Sequence, residues 1–149
     1  MIAECLPKPG YVDYRTHLQL LLNIPLSASN FEIHNLIYNG FPAASLLSLV
    51  GEGVITPSER SRIISSRALH IRVQHGGLLT GAESDRLFRC AHILSMAMAV
   101  FGSSDKARRW LDKPKTRFAG HTPTEMSTTL CGMNQVEEML LQITNSYAL

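Results

Sequence analysis

Apolar residues recur along this chain at helical rather than alternating spacing. Leu87, Phe88, Ala91, Leu94, Met98 and Phe101 share one face of a helix predicted over 81–101, which Gly102 is placed to end. Val136, Met139, Leu140 and Ile143 form a second stripe, predicting a helix over 134–145. There Asn134 is the expected cap, and Glu137 and Glu138 lie near the positive end of the helix. Four T/S-x-x-E boxes (Ser29–Glu32, Thr56–Glu59, Thr80–Glu83, Thr122–Glu125) mark further starts, two of them followed by proline at the first helical position. From these signals we expect helices at 30–39, 42–50, 57–65, 66–75, 104–112 and 123–131 as well. Ile71-Arg72-Val73 is the only alternating rival, and Leu18–Leu22 fits helix or strand. The expected fold class is all-α, without internal repeats or low-complexity tracts.

Charge refines this outline. The total over 149 residues is only +2, but it is segregated. Residues 1–59 net −3, 60–75 net +4, 105–117 net +4, and the last 32 residues carry three acids and no Lys or Arg. Two basic blocks and an acidic tail suggest at least two partner surfaces. The apolar fraction, 45%, is that of a folded chain and argues against disorder. No apolar run approaches the roughly 20 residues of a membrane span, and no signal peptide is evident, so a cytoplasmic location is expected. Cys5, Cys90 and Cys131 are odd in number and widely spaced, which favours buried thiols over disulfides or a zinc site.

The first basic block has a specific shape. Pro57–Ile64 and the segment from Ser65 onward give two short helices joined by a tight turn, with Ile63, Ile64, Leu69 and Val73 facing inward. The second helix then presents Arg67, His70, Arg72 and Gln74 outward, as a helix-turn-helix presents its recognition helix to a major groove. Arg60, Arg62 and Ser66 flank that face and complete the DNA-binding candidates. A merely solvated basic helix face has the same pattern.

Separated motifs in the second half carry a family resemblance. Thr80-Gly-Ala-Glu-Ser-Asp-Arg-Leu87, Val100-Phe101-Gly102, Lys106-Ala107, Trp110-Leu111, Gly120-His121-Thr122-Pro123 and Gly132…Val136…Leu140…Ile143 occur in that order. Together they resemble the Xre/MbcA/ParS family of bacterial type II antitoxins over about residues 40–145. Phe41-Pro42-Ala43 and Ser66-Arg67-Ala68-Leu69 are similar to that family's helix-turn-helix region and its recognition segment. The resemblance implies an Xre-like helix-turn-helix module followed by a small helical toxin-binding domain. It further implies a RES-type toxin partner, resembling ADP-ribosyltransferases and consuming NAD, whose active site the antitoxin blocks. It also implies operator DNA as a second partner, with repression of the chain's own operon.

On this basis we expect an N-terminal arm over 1–28, a DNA-binding domain over 29–89 and a toxin-binding domain over 90–149. The arm, with apolar Leu18–Leu22, is expected to form a homodimer contact, since helix-turn-helix proteins commonly bind as symmetric pairs. Candidate toxin contacts are Trp110, Thr122, Met126, Met133, Glu137, Glu138, Tyr147 and Leu149. Trp110 by itself reads as core as readily as interface, and Thr122 as a cap first. His17, His34, His70, His75, His92 and His121 show no metal-ligand spacing, and no nucleophile motif occurs. Neither cofactor, metal, membrane nor enzymatic activity is expected. A stand-alone helix-turn-helix regulator without a toxin is the competing reading.

Overall fold

A computed structural model describes residues 1–147, all but the side chain of Tyr147 included. Among them are nine α-helices and no strand: α1 (Lys8–Leu22), α2 (Asn30–Asn39), α3 (Ala43–Gly51), α4 (Pro57–Ile63), α5 (Ser66–Gln74), α6 (Gly81–Phe101), α7 (Ser104–Leu111), α8 (Pro123–Met126) and α9 (Leu130–Tyr147). The four boxes read in the sequence all form in both directions, each hydroxyl accepting from the third helical N–H while the Glu carboxylate accepts from the cap's own N–H. Leu18–Leu22 is the end of a helix, and Ile71-Arg72-Val73 lies within α5.

The chain forms two compact units, one of residues 19–91 and one of residues 1–18 with 92–149. The boundary at 91/92 lies two residues from the division expected at 89/90, and residues 1–18 of the expected arm group with the C-terminal residues. Helix α1 puts Tyr14 and Leu18 at 0% exposure, so its first eleven residues belong to the core that holds the C-terminal half of the chain.

In the 19–91 unit, α3 packs on both α4 and α5. Its ends are tied by residues 40–43 running antiparallel to 77–79. The Leu79 N–H donates to the Phe41 carbonyl at 2.8 Å and the Ala43 N–H to Gly77 at 3.1 Å. Gly40 sits at φ +98°, and a Cβ there would lie 2.2 Å from the Leu79 carbonyl oxygen, so the crossing requires glycine. The Phe41 N–H donates to the hydroxyl of fully buried Ser84 at 2.9 Å. That serine of the Glu-Ser-Asp-Arg motif is a core hydrogen-bond acceptor.

In the other unit α7 packs on α8 and α8 on α9, while the Ile2–Cys5 turn lies against α9. Residues 92–97 of α6, which belong to this unit, are buried without interruption. Two expectations are corrected here. The helix expected at 123–131 ends at Met126, and the last helix starts at Leu130, four residues before Asn134. Thr129 caps it, its hydroxyl accepting from the Gly132 N–H at 3.0 Å, which leaves Asn134 as an exposed interior residue. Gly132 permits this close reversal, because a Cβ there would meet the Met126 carbonyl oxygen at 1.9 Å. The cysteines differ from expectation too: Cys5 and Cys131 are exposed and Cys90 is half-buried.

Candidate functional site

Two surfaces carry the candidate residues. The first is the α4–α5 pair, joined through Ile64 and Ser65 alone. Both inward isoleucines are buried, as is Leu69, whereas Val73 is half-buried. The turn is held by arginines: Arg60 donates to the Ile64 carbonyl at 2.8 Å and Arg86 to the Ile63 carbonyl at 3.1 Å. These carbonyls end α4, where a cation is favoured by the helix dipole. Ser65 caps α5 by accepting from the Ala68 N–H.

Of the expected DNA contacts, Arg62, Ser66, Arg67, His70 and Gln74 are exposed on α4 and α5. His70 keeps its ring near the Ser66 carbonyl through Nδ1, leaving Nε2 outward-capable. Arg60 and Arg72 are placed differently. Arg60 is half-buried on the turn, and Arg72 pairs with Glu83 of α6. Burial alone would raise the Glu83 carboxyl. The Thr80 N–H and the Arg72 guanidinium outweigh it and hold the carboxyl below the ordinary carboxylate range. Arg72 thus has a fixed intrachain partner that the basic count along the sequence did not reveal.

The second surface belongs to α7, α8 and α9. Trp110 is half-buried, with Phe101 tilted against it at 5.6 Å between ring centroids and the Lys115 ammonium 4.9 Å above its ring. Thr122 is half-buried and occupied as the α8 cap. Its neighbour Thr124 ties α8 to the end of α7, its hydroxyl donating to the Leu111 carbonyl at 3.0 Å. Met126 and Met133 are half-buried and Glu138 is exposed. Tyr147 keeps its place at the end of α9, but its side chain, like the whole of Leu149, lies outside the described residues.

Glu137 is not at this surface. It is 4% exposed and stands 3.6 Å from His92 Nε2, while His92 Nδ1 lies 2.6 Å from the hydroxyl of buried Tyr14. Helical spacing explains the difference: Glu137 follows Val136 and precedes Leu140 by three, which turns it inward, whereas Glu138 is turned out. Burial raises the Tyr14 hydroxyl far above its ordinary pKa, so it stays protonated and can donate to His92. This Tyr–His–Glu chain links α1, α6 and α9. Its only signals in the sequence were polar residues standing within apolar stretches.

Among the described residues no group of three His, Cys, Asp or Glu could hold a metal ion, and no single helix is long and apolar enough to cross a membrane.

Residues 96–144 match the antitoxin Xre/MbcA/ParS C-terminal toxin-binding domain. Over all 149 residues the chain is 56% identical to Antitoxin Xre of Pseudomonas putida, of which it covers 94%. It belongs to the Xre/MbcA/ParS family of antitoxins, and its partner is the toxin of a toxin–antitoxin system.

Proposed function

We propose that this antitoxin neutralises a RES-type, NAD-degrading toxin by covering its active site, and that it binds its own promoter to repress the operon. The match of residues 96–144 to a toxin-binding domain carries the first part. Trp110, Thr122, Met126, Met133 and Glu138 sit on helices packed in series, and α9 runs to the last described residue. In this reading the last helix and residues 147–149 enter the toxin's cleft. Glu137 contributes from within, by fixing α9 on α1 and α6.

DNA binding rests on the α4–α5 geometry. A two-residue turn pinned by Arg60 and Arg86 presents Arg62, Ser66, Arg67, His70 and Gln74 together, side chains suited to phosphates and base edges. A homodimer would supply the two half-sites of a symmetric operator. The N-terminal region offers apolar surface for it, with Leu20 73% and Leu26 50% exposed.

Deleting residues 147–149 and co-expressing the product with the neighbouring gene's toxin tests the blocking mode. The full chain should restore growth and the truncated one should not. Undiminished rescue by the truncated chain would remove the tail from the mechanism.

A further inference from the structure

The second basic block lies inside the toxin-binding region, and the structure gives it a definite form. Ala107 and Leu111, four residues apart on α7, are buried. Lys106 and Arg109, three apart, project away from that buried side, and Lys113 follows two residues past the helix end. All three are exposed, and among the described residues none pairs with a carboxylate. The block also holds two acids. Asp112 stands 3.8 Å from Arg108, while Asp105, in the first turn, precedes Arg109 by four residues and offsets part of its charge.

Trp110 and Lys115 border this face. The lysine is drawn over the ring, and its pKa is lowered first by burial and then by the neighbouring Lys113. An approaching anion relieves the repulsion between these two ammonium groups. Elsewhere in the same matched region the charge is reversed. After Arg117 no Lys or Arg occurs, and Glu138 is exposed on α9.

We propose that the α7 face formed by Lys106, Arg109 and Lys113, with Trp110 at its edge, docks on a carboxylate-rich patch of the toxin. Its position within residues 96–144 and its aromatic border favour a protein partner over DNA. The contact steers the encounter and fixes the orientation in which α9 approaches. The proposal rests on the antitoxin reading but requires neither the RES identity of the toxin nor the role of residues 147–149.

The test uses the full chain and its purified cognate toxin, comparing wild type with the Arg109→Glu/Lys113→Glu variant after both show the same helical circular dichroism and melting temperature. At about 50 mM NaCl the variant should associate at least roughly tenfold more slowly, and the difference should shrink in about 0.5 M NaCl as the charges are screened. Arg109→Gln/Lys113→Gln, which introduces no acid, should fall between them. The salt dependence of promoter-DNA binding should be the same for all three proteins. Equal toxin association by variant and wild type would overturn the proposal. A shallower DNA salt slope with unchanged toxin binding would overturn it too, assigning the face to phosphates. Failure of the wild type itself to bind the toxin would instead defeat the reading beneath it.

Discussion

The two basic stretches carry the same net charge, +4, yet in each the fold engages part of that charge within the chain and leaves the rest exposed. In residues 60–75, Arg60 holds the carbonyl that ends the turn and Arg72 is paired with Glu83, so Arg62 and Arg67 alone are fully turned out. In residues 105–117, Arg108 is paired, Lys115 rests on Trp110 and Arg117 donates to Gln142, while Lys106, Arg109 and Lys113 are exposed. A charge count over a window cannot separate these cases. What separates them is whether an acid or a helix-end carbonyl lies within reach of the side chain. The same distinction divides Glu137 from Glu138, which are adjacent in sequence and opposite in exposure.

That pair of glutamates gives the largest expected contrast. Glu137→Ala leaves His92 without its carboxylate inside the core and should destabilise the protein by about 3 kcal/mol, whereas Glu138→Ala should stay within about 0.5 kcal/mol. Urea unfolding of the two variants measures the difference. Equal effects would mean that the buried Tyr14–His92–Glu137 chain contributes little. Ser84→Ala comes next. It strands the Phe41 N–H in the core and should cost about 1–3 kcal/mol, read from the same unfolding curves.

A subtler contrast lies within the first basic stretch. Arg67→Gln should reduce the slope of log affinity against log salt for promoter DNA by about 1, with little change in stability. Arg60→Gln should leave that slope in place and lower the melting temperature instead, since its guanidinium serves the turn. If both variants changed the slope alike, the assignment of Arg60 to the turn would fail.

The smallest effect is one of pH. The Glu83 carboxyl is held below its ordinary value of 4.5 in the folded protein. Its contribution is therefore fully present above the unfolded pKa and is lost as pH falls through the folded one. Acid titration of wild type should show a stability loss below about pH 4.5 that is diminished in Glu83→Gln. Parallel curves would contradict the Thr80 and Arg72 stabilisation of this carboxylate.

Much of this structure was legible beforehand, for physical reasons that also mark where reading stopped. Capping boxes are local, three residues across, and all four formed as the sequence implied. The Met126–Leu130 break was misread because its cause is not local. Gly132 allows α9 to begin against the Met126 carbonyl, a contact seen only once both helices are placed. Side chains whose partners lie far along the chain were misplaced for the same reason. Arg72 finds Glu83 eleven residues on, and Tyr14 finds His92 across 78. Polar residues within apolar stretches, such as Ser84 and His92, are the signal that could have pointed to these pairings.

The most direct test of the proposed NAD-degrading partner is NAD consumption by the purified cognate toxin as the 149-residue antitoxin is titrated in. We expect consumption to fall linearly to background and to stop falling at a fixed ratio of the two proteins. Consumption unchanged by a saturating excess of a folded, toxin-bound antitoxin would contradict the proposal that this family member acts by covering the toxin's active site.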